Sequence, residues 1–195
     1  MHSMGALANA LFDVQSYDEA VELLLKNLET VQRLDPSDIQ KHITCMITLA
    51  NCYLLQGKTQ ESLRCQRDVY ALTERNFPPE NLHRISSAGN YAMTLMSTGS
   101  PSEALPILRE TLPVARRVLG PDHEQVGALE VNLAQCLYVP ADSSRESVDE
   151  AFAILKDLGK RHARVFGRAH PQTQKTAYVL KLLLETTRER GIYLG

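Results

Sequence analysis

Several features that would announce a chemistry are missing from this 195-residue chain. Charge of one sign is not in excess: 21 Lys and Arg stand against 23 Asp and Glu, a formal net charge of −2. Nonspecific binding to nucleic acid rests on a surplus of cations that displaces counterions, so nucleic acid is not an expected partner. Cysteine is sparse. Cys45, Cys52, Cys65 and Cys136 form no CxxC pair and no disulfide-framework spacing, the pattern of reduced thiols in a cytoplasmic, reducing compartment. No apolar run approaches the roughly 20 residues that span a bilayer, and the N-terminal stretch lacks the basic-then-apolar order of a signal peptide. Membrane insertion is therefore not expected. Nor does the sequence hold a GxSxG elbow, a Walker loop, a GxGxxG turn or an HExxH pair. It reads as a non-enzyme that needs neither cofactor nor metal.

What the sequence does have is a period. Ala8, Ala50, Ala92 and Ala134 are spaced by 42 residues, and each follows a large apolar residue: Leu7, Leu49, Tyr91 and Leu133. Self-similarity of this length marks a unit that cannot bury its apolar face alone and does so against its neighbours. Within each unit the apolar residues recur at helical spacing, first on one helix and then on a second. Two closely crossing helices need small side chains at the crossing. The pairs Ala8/Ala20, Ala50/Ser62, Ala92/Ala104 and Ala134/Ala151 supply them.

Taken in order, a capping box at Ser16 and Glu19 opens a helix through Ala20, Leu24, Leu28 and Val31. A second begins near Asp38 with Ile43, Met46, Leu49, Ala50 and Tyr53 on its apolar face. Gly57 turns the chain into a third, which places Leu63, Val69 and Leu72 inward and stops at Pro78 and Pro79. Ala88, Tyr91, Ala92 and Leu95 face inward on the next, which ends at Gly99. Ser100, with Pro101 and Glu103, has the strongest capping pattern in the chain. Pro106 and Pro113 fall inside the helix that follows, seven residues apart, and are expected on its solvent face. Gly120 is expected to close that helix as a left-handed residue before Pro121. Leu129, Leu133, Ala134 and Leu137 then face inward. From Ala134 to Ala151 is 17 residues where Ala92 to Ala104 is 12, so an insertion lies at Val139 to Ser144. Ser147 and Glu150 form the capping pattern of the next helix, which carries Phe152, Leu155 and Leu158. The insertion reads as a flexible loop, with Ser143, Ser144 and Ser147 as the alternative of a phosphorylated switch. A final helix from Pro171 presents Ala177, Leu180, Leu183 and Leu184. His123 and His170 share one repeat position, where helix capping and junction packing account for both.

These residues resemble the tetratricopeptide repeat, in the 42-residue variety of kinesin light chains. The family's Leu, small, large, Gly and Ala positions are Leu49, Ala50, Tyr53, Gly57 and Ser62, then Tyr91, Ala92, Leu95, Gly99 and Ala104, then Leu133, Ala134, Leu137 and Ala151. The junctions Leu119 to His123 and Phe166 to His170 look like that family's linker. Departures are Gln15, Ser62, Glu124 and the insertion. The resemblance implies an all-α, right-handed superhelical solenoid of antiparallel helix hairpins in a single domain of about four and a half repeats: 1–37, 38–79, 80–121, 122–169 and a capping helix at 170–195.

It also implies a protein-interaction scaffold whose first helices line a concave groove for a partner's peptide or helix. A helical rotation of about 100° per residue assigns to that groove Ile47, Asn51 and Leu54, then Met93 and Met96, then Val131, Gln135 and Tyr138. The apolar members are expected to be exposed, with Asn51 and Gln135 bonding a partner's backbone. The alternative function is a peptide- or effector-gated regulatory domain of a larger signalling or multidomain protein. A charge clamp for an acidic chaperone tail is not expected. Asn9, Asn51, Asn90 and Asn132 stand near such places, but Gly5, Thr48 and Ser86 occupy the positions that need cations.

Overall fold

Among the residues that the computed structural model describes, 17–34 and 37–192, the chain forms eight helices and no strand. They are α1 (Tyr17–Leu34), α2 (Ile39–Leu55), α3 (Thr59–Asn76), α4 (Leu82–Ser97), α5 (Pro101–Leu119), α6 (Glu124–Tyr138), α7 (Arg145–Val165) and α8 (Pro171–Glu189). Two compact units contain them, 1–78 and 79–195. The expectations at Gly5, Leu7, Ala8, Asn9, Gln15 and Ser16 lie outside the described residues.

In the first unit α2 packs between α1 and α3. Asp38 caps α2 by accepting the Lys41 backbone N–H at 2.9 Å. One side of α2 joins Ala20 and Leu24 through Cys45, Leu49 and Cys52. Its other side, Ile43 and Met46, meets Val69 of α3. Gln56, Gly57 and Lys58 reverse the chain, with Gly57 at φ 75°. The buried row of α3 is more polar than the pattern predicts: Ser62, Gln66, Val69 and Thr73 are covered, while Leu63 and Leu72 are only half-buried. Thr73 offsets its own burial by donating to the Tyr70 carbonyl at 2.8 Å, whereas the buried Gln66 Oε1 has no hydrogen-bond partner among the described residues.

In the second unit each helix from α4 to α8 packs on the next, and α6 also touches α4 and α8. Ala92, Ala104, Ala134 and Ala151 have no exposed surface, in keeping with their place at the crossings. Pro106 and Pro113 do stand on the exposed face of α5, where water can serve the carbonyls that lose an N–H partner. Gly89 lets α4 approach α6: a Cβ there would lie 3.1 Å from Leu129 Cδ2.

Local details differ from the sequence expectations in four places. Ser100 precedes α5 and Pro101 is its first residue, but the Ser100 hydroxyl makes no capping bond; the Ser100 carbonyl instead accepts from the Glu103 and Ala104 backbone. Gly120 has φ 85° and ψ 154°, an extended mirror-image conformation that essentially only glycine adopts, not a left-handed helical one. Helix α7 starts three residues before the Ser147 pattern, because Ser144 caps it by accepting from Ser147 N–H at 3.2 Å. On α8 the buried stripe is Thr173, Thr176, Val179, Leu183 and Thr187, with Ala177 and Leu184 exposed. Threonine methyl groups pack as apolar surface while their hydroxyls bond locally, so the hydrophobic pattern alone misplaces this face.

Candidate functional site

One depression of about 520 Å³ in the second unit is lined by residues of both α4 and α6. Helix α4 contributes Met93, Met96 and Ser97, and α6 contributes Asn132 and Gln135. Gly99 comes from the turn after α4 and Pro101 is the first residue of α5, while Val139 caps the end of α6 and Pro140 follows it in the 139–144 connection. No ionisable side chain lines it. Met93 and Val139 are 45% and 49% exposed, large for apolar residues in a folded chain. The side-chain amides of Asn132 and Gln135 engage no other described residue, so their donors and acceptors are open.

Three of the groove residues expected from the sequence, Met93, Met96 and Gln135, come together here. Val131 and Tyr138 do not. They are 6% and 3% exposed, because α6 is packed by α4, α5, α7 and α8 and ten of its fifteen residues are buried. Burial also pushes the Tyr138 phenol above its ordinary pKa. Ile47, Asn51 and Leu54 belong to the first unit and are half-buried on α2. Ile47 packs against the cluster of Ile43, Met46 and Val69. Asn132, Val139 and Pro140 were missed as lining residues. The signal for the first was its 42-residue distance from Asn90, and for the other two the extra length after Tyr138.

The insertion is built, not loose. Arg190, just past α8, donates from Nη1 to the Tyr138 and Pro140 carbonyls and from Nη2 to the Val139 carbonyl, each at 2.8 Å. A guanidinium presents its donors in a fixed fork, and a cation suits the carbonyl end of a helix. Ser143 closes a turn on the same Pro140 oxygen, through its N–H at 3.2 Å and its hydroxyl at 2.8 Å.

Elsewhere in the second unit, polar contacts tie the helices together. Glu130 of α6 has no exposed surface. Arg116 of α5 reaches its Oε1 at 2.5 Å, and Arg161 of α7 its Oε2. His162 is 3% exposed. Thr176 gives its hydroxyl proton to the Gln172 carbonyl at 3.0 Å, so His162 Nδ1 is the donor in its own 3.0 Å contact with Thr176. Its Nε2 faces Gly127, where a Cβ would lie 2.8 Å away. Desolvation holds the His162 pKa below its ordinary value of 6.5. His123 and His170 both cap helices, their Nδ1 atoms accepting from Gln125 N–H and Gln172 N–H at 3.1 and 3.2 Å. His170 also stacks on Phe166 at 4.8 Å. Gln125 bonds Ser86 at 2.6 Å and Gln172, at the same repeat position, bonds Glu124 at 2.5 Å.

This constellation has the makings of a binding surface. No group of three or more His, Cys, Asp or Glu among the described residues is placed to hold a metal ion. The thiols of Cys65 and Cys136 are pushed up to about 11 by burial, which leaves them poor nucleophiles. No helix among the described residues is long and apolar enough to cross a membrane.

Paired helices at a 42-residue period, small residues at each crossing and histidine-capped junctions define a helical repeat protein. The tetratricopeptide-repeat family profile matches residues 1–75 and 83–139, and the chain belongs to that family. Solved structures agree on the fold. A Podosopora anserina protein of nearly identical TPR-like repeats of the kinesin-light-chain kind, solved as a point variant, is similar over 97% of this chain and 87% of its own, with a TM-score of 0.81 at 22% identity. BtubC (BKLC) from P. vanneervenii is similar over 100% of this chain and 82% of its own, with a TM-score of 0.65 at 16% identity. A search of curated proteins finds no match. The chain is thus an all-α repeat protein of the tetratricopeptide family, with a fold like that of kinesin-light-chain-like repeats, and that fold serves protein interaction.

Proposed function

We propose that the chain is a non-catalytic scaffold or adaptor that binds a segment of a partner protein in the α4–α6 depression. The observation that carries this reading is the pairing of exposed Met93 and Val139 with two unengaged amides, Asn132 and Gln135, in one uncharged hollow. Exposed apolar surface of this kind favours a partner, methionine adapts to more than one side chain, and an amide can both donate to and accept from a peptide backbone. Ile47, Asn51 and Leu54 on α2 are a second contact surface, belonging to the first unit, proposed from their repeat position. The expected setting is cytoplasmic, with protein or peptide as partner and neither nucleic acid nor cofactor.

The test is selection of displayed peptides on the purified chain, followed by calorimetric titration of the enriched sequences. The double variant Met93→Glu, Met96→Glu should lose at least tenfold in affinity while its helical circular dichroism is unchanged, since a carboxylate in an uncharged hollow is left without a partner. Equal affinity of the variant for the selected peptides would place the binding surface elsewhere.

A further inference from the structure

The wall of the depression formed by Val139 and Pro140 stands where α6 passes into the lengthened 139–144 connection, Val139 being the C-cap of the helix. Its position is fixed from a distant point in the sequence. Arg190 holds three consecutive carbonyls, those of Tyr138, Val139 and Pro140, and Ser143 bonds the last of them twice. Val139 and Pro140 line the same hollow as Met93 and Met96. Three carbonyl contacts take three of the five N–H donors of the Arg190 guanidinium, and none of the nine lining residues is ionisable.

Resting on the groove reading above, we infer that the Arg190-held loop is the specificity wall of the depression. It admits an uncharged apolar side chain from an extended partner segment, and Arg190 is the residue that positions it. A charged side chain entering this space gives up its hydration and gains no counter-ion. A leucine or methionine side chain gives up little and is covered on both sides, by the methionines of α4 and by the loop. Asn132 and Gln135 take the main chain beside it. Without the latch the loop loses three charge-assisted bonds, the wall moves away, and the hollow no longer separates apolar from charged side chains.

The chain has five methionines, so protein labelled with 13C at the methionine methyls gives few signals, with Met93 and Met96 assignable by substitution. The probes are three blocked heptapeptides of Ser and Asn with Leu, Asp or Lys at the centre, titrated to millimolar concentration. The expected result is that the Leu peptide shifts the Met93 and Met96 methyls with about tenfold preference over the Asp and Lys peptides. Arg190→Ala should abolish most of that preference with circular dichroism unchanged. Arg190→Lys should behave likewise, since one ammonium cannot span three carbonyls. Pro140→Gly, which removes part of the wall and leaves the latch, covers the case in which Arg190→Ala fails to fold. Preserved preference in the Arg190 and Pro140 variants overturns the latch and leaves the groove standing. Equal binding of all three peptides overturns the selectivity. No shift at either methyl with any peptide overturns the groove reading, and this inference with it.

Discussion

A carboxylate with no exposed surface needs its charge answered, and Glu130 has it answered from both neighbouring helices, by Arg116 and Arg161. Removing the charge takes from Arg161, whose side chain is 15% exposed, its buried partner, while Asp157 at 2.9 Å and the Pro121 carbonyl still bond it. Glu130→Gln should therefore lower unfolding stability by about 1–3 kcal/mol, measured by chemical denaturation. Arg116 is half exposed, and Arg116→Lys should cost less than about 1 kcal/mol in the same assay. His162 sets a pH dependence. Its pKa is lower folded than unfolded, chiefly through desolvation, with the Arg161 and His170 charges acting the same way and the Gln172 backbone and Glu130 opposing. The unfolded chain then takes up the proton more readily. The stability that neutral His162 contributes is complete above the ordinary value near 6.5 and is lost as pH falls below it. Melting temperatures from pH 7.5 to 5 should fall more steeply in the parent than in His162→Gln, and parallel slopes would remove His162 from the account.

At the scale of the helix, what could be read in the sequence followed from how regular the chain is. Small residues at fixed distances placed Ala92, Ala104, Ala134 and Ala151 at the crossings, and all four are fully buried. Ala92→Leu should accordingly cost roughly 1–3 kcal/mol by denaturant midpoint, as overpacking does. Apolar periodicity failed where polar residues do the packing. Thr173, Thr176 and Thr187 share the inner face of α8 with Val179 and Leu183, and Ser62, Gln66 and Thr73 share that of α3 with Val69, so apolar spacing placed Leu183 inward but also Ala177 and Leu184, which are exposed. Periodicity also could not see that α6 is covered on four sides, which is why Val131 and Tyr138 read as groove residues and are buried. The insertion was visible as extra length, but the residue that fixes its shape, Arg190, lies 50 residues from Pro140. No local pattern links them. Gly120→Ala is a further check at this scale. At φ 85° and ψ 154° the substitution should cost about 1–3 kcal/mol, read from the same denaturation curves.

For the whole molecule, the two units are each built from helices that pack mainly on their sequence neighbours. A surface made this way can change its specificity through one loop while the helices beneath keep their places. The candidate hollow shows it: Met93, Met96, Asn132 and Gln135 sit on regular helices, while Val139 and Pro140 lie where α6 passes into the lengthened connection. The coverage of α6 by four other helices has a kinetic consequence as well. Contacts local in sequence form early and rapidly, and a helix that must be present before four others can dock belongs to the structure that limits folding. Leu133→Ala in α6 should slow refolding in stopped-flow measurements. Val179→Ala in α8, which among the described helices packs on α7 and α6, should mainly hasten unfolding. The time order of assembly would then run outward from the middle of the second unit, opposite to a chain that zips from one end.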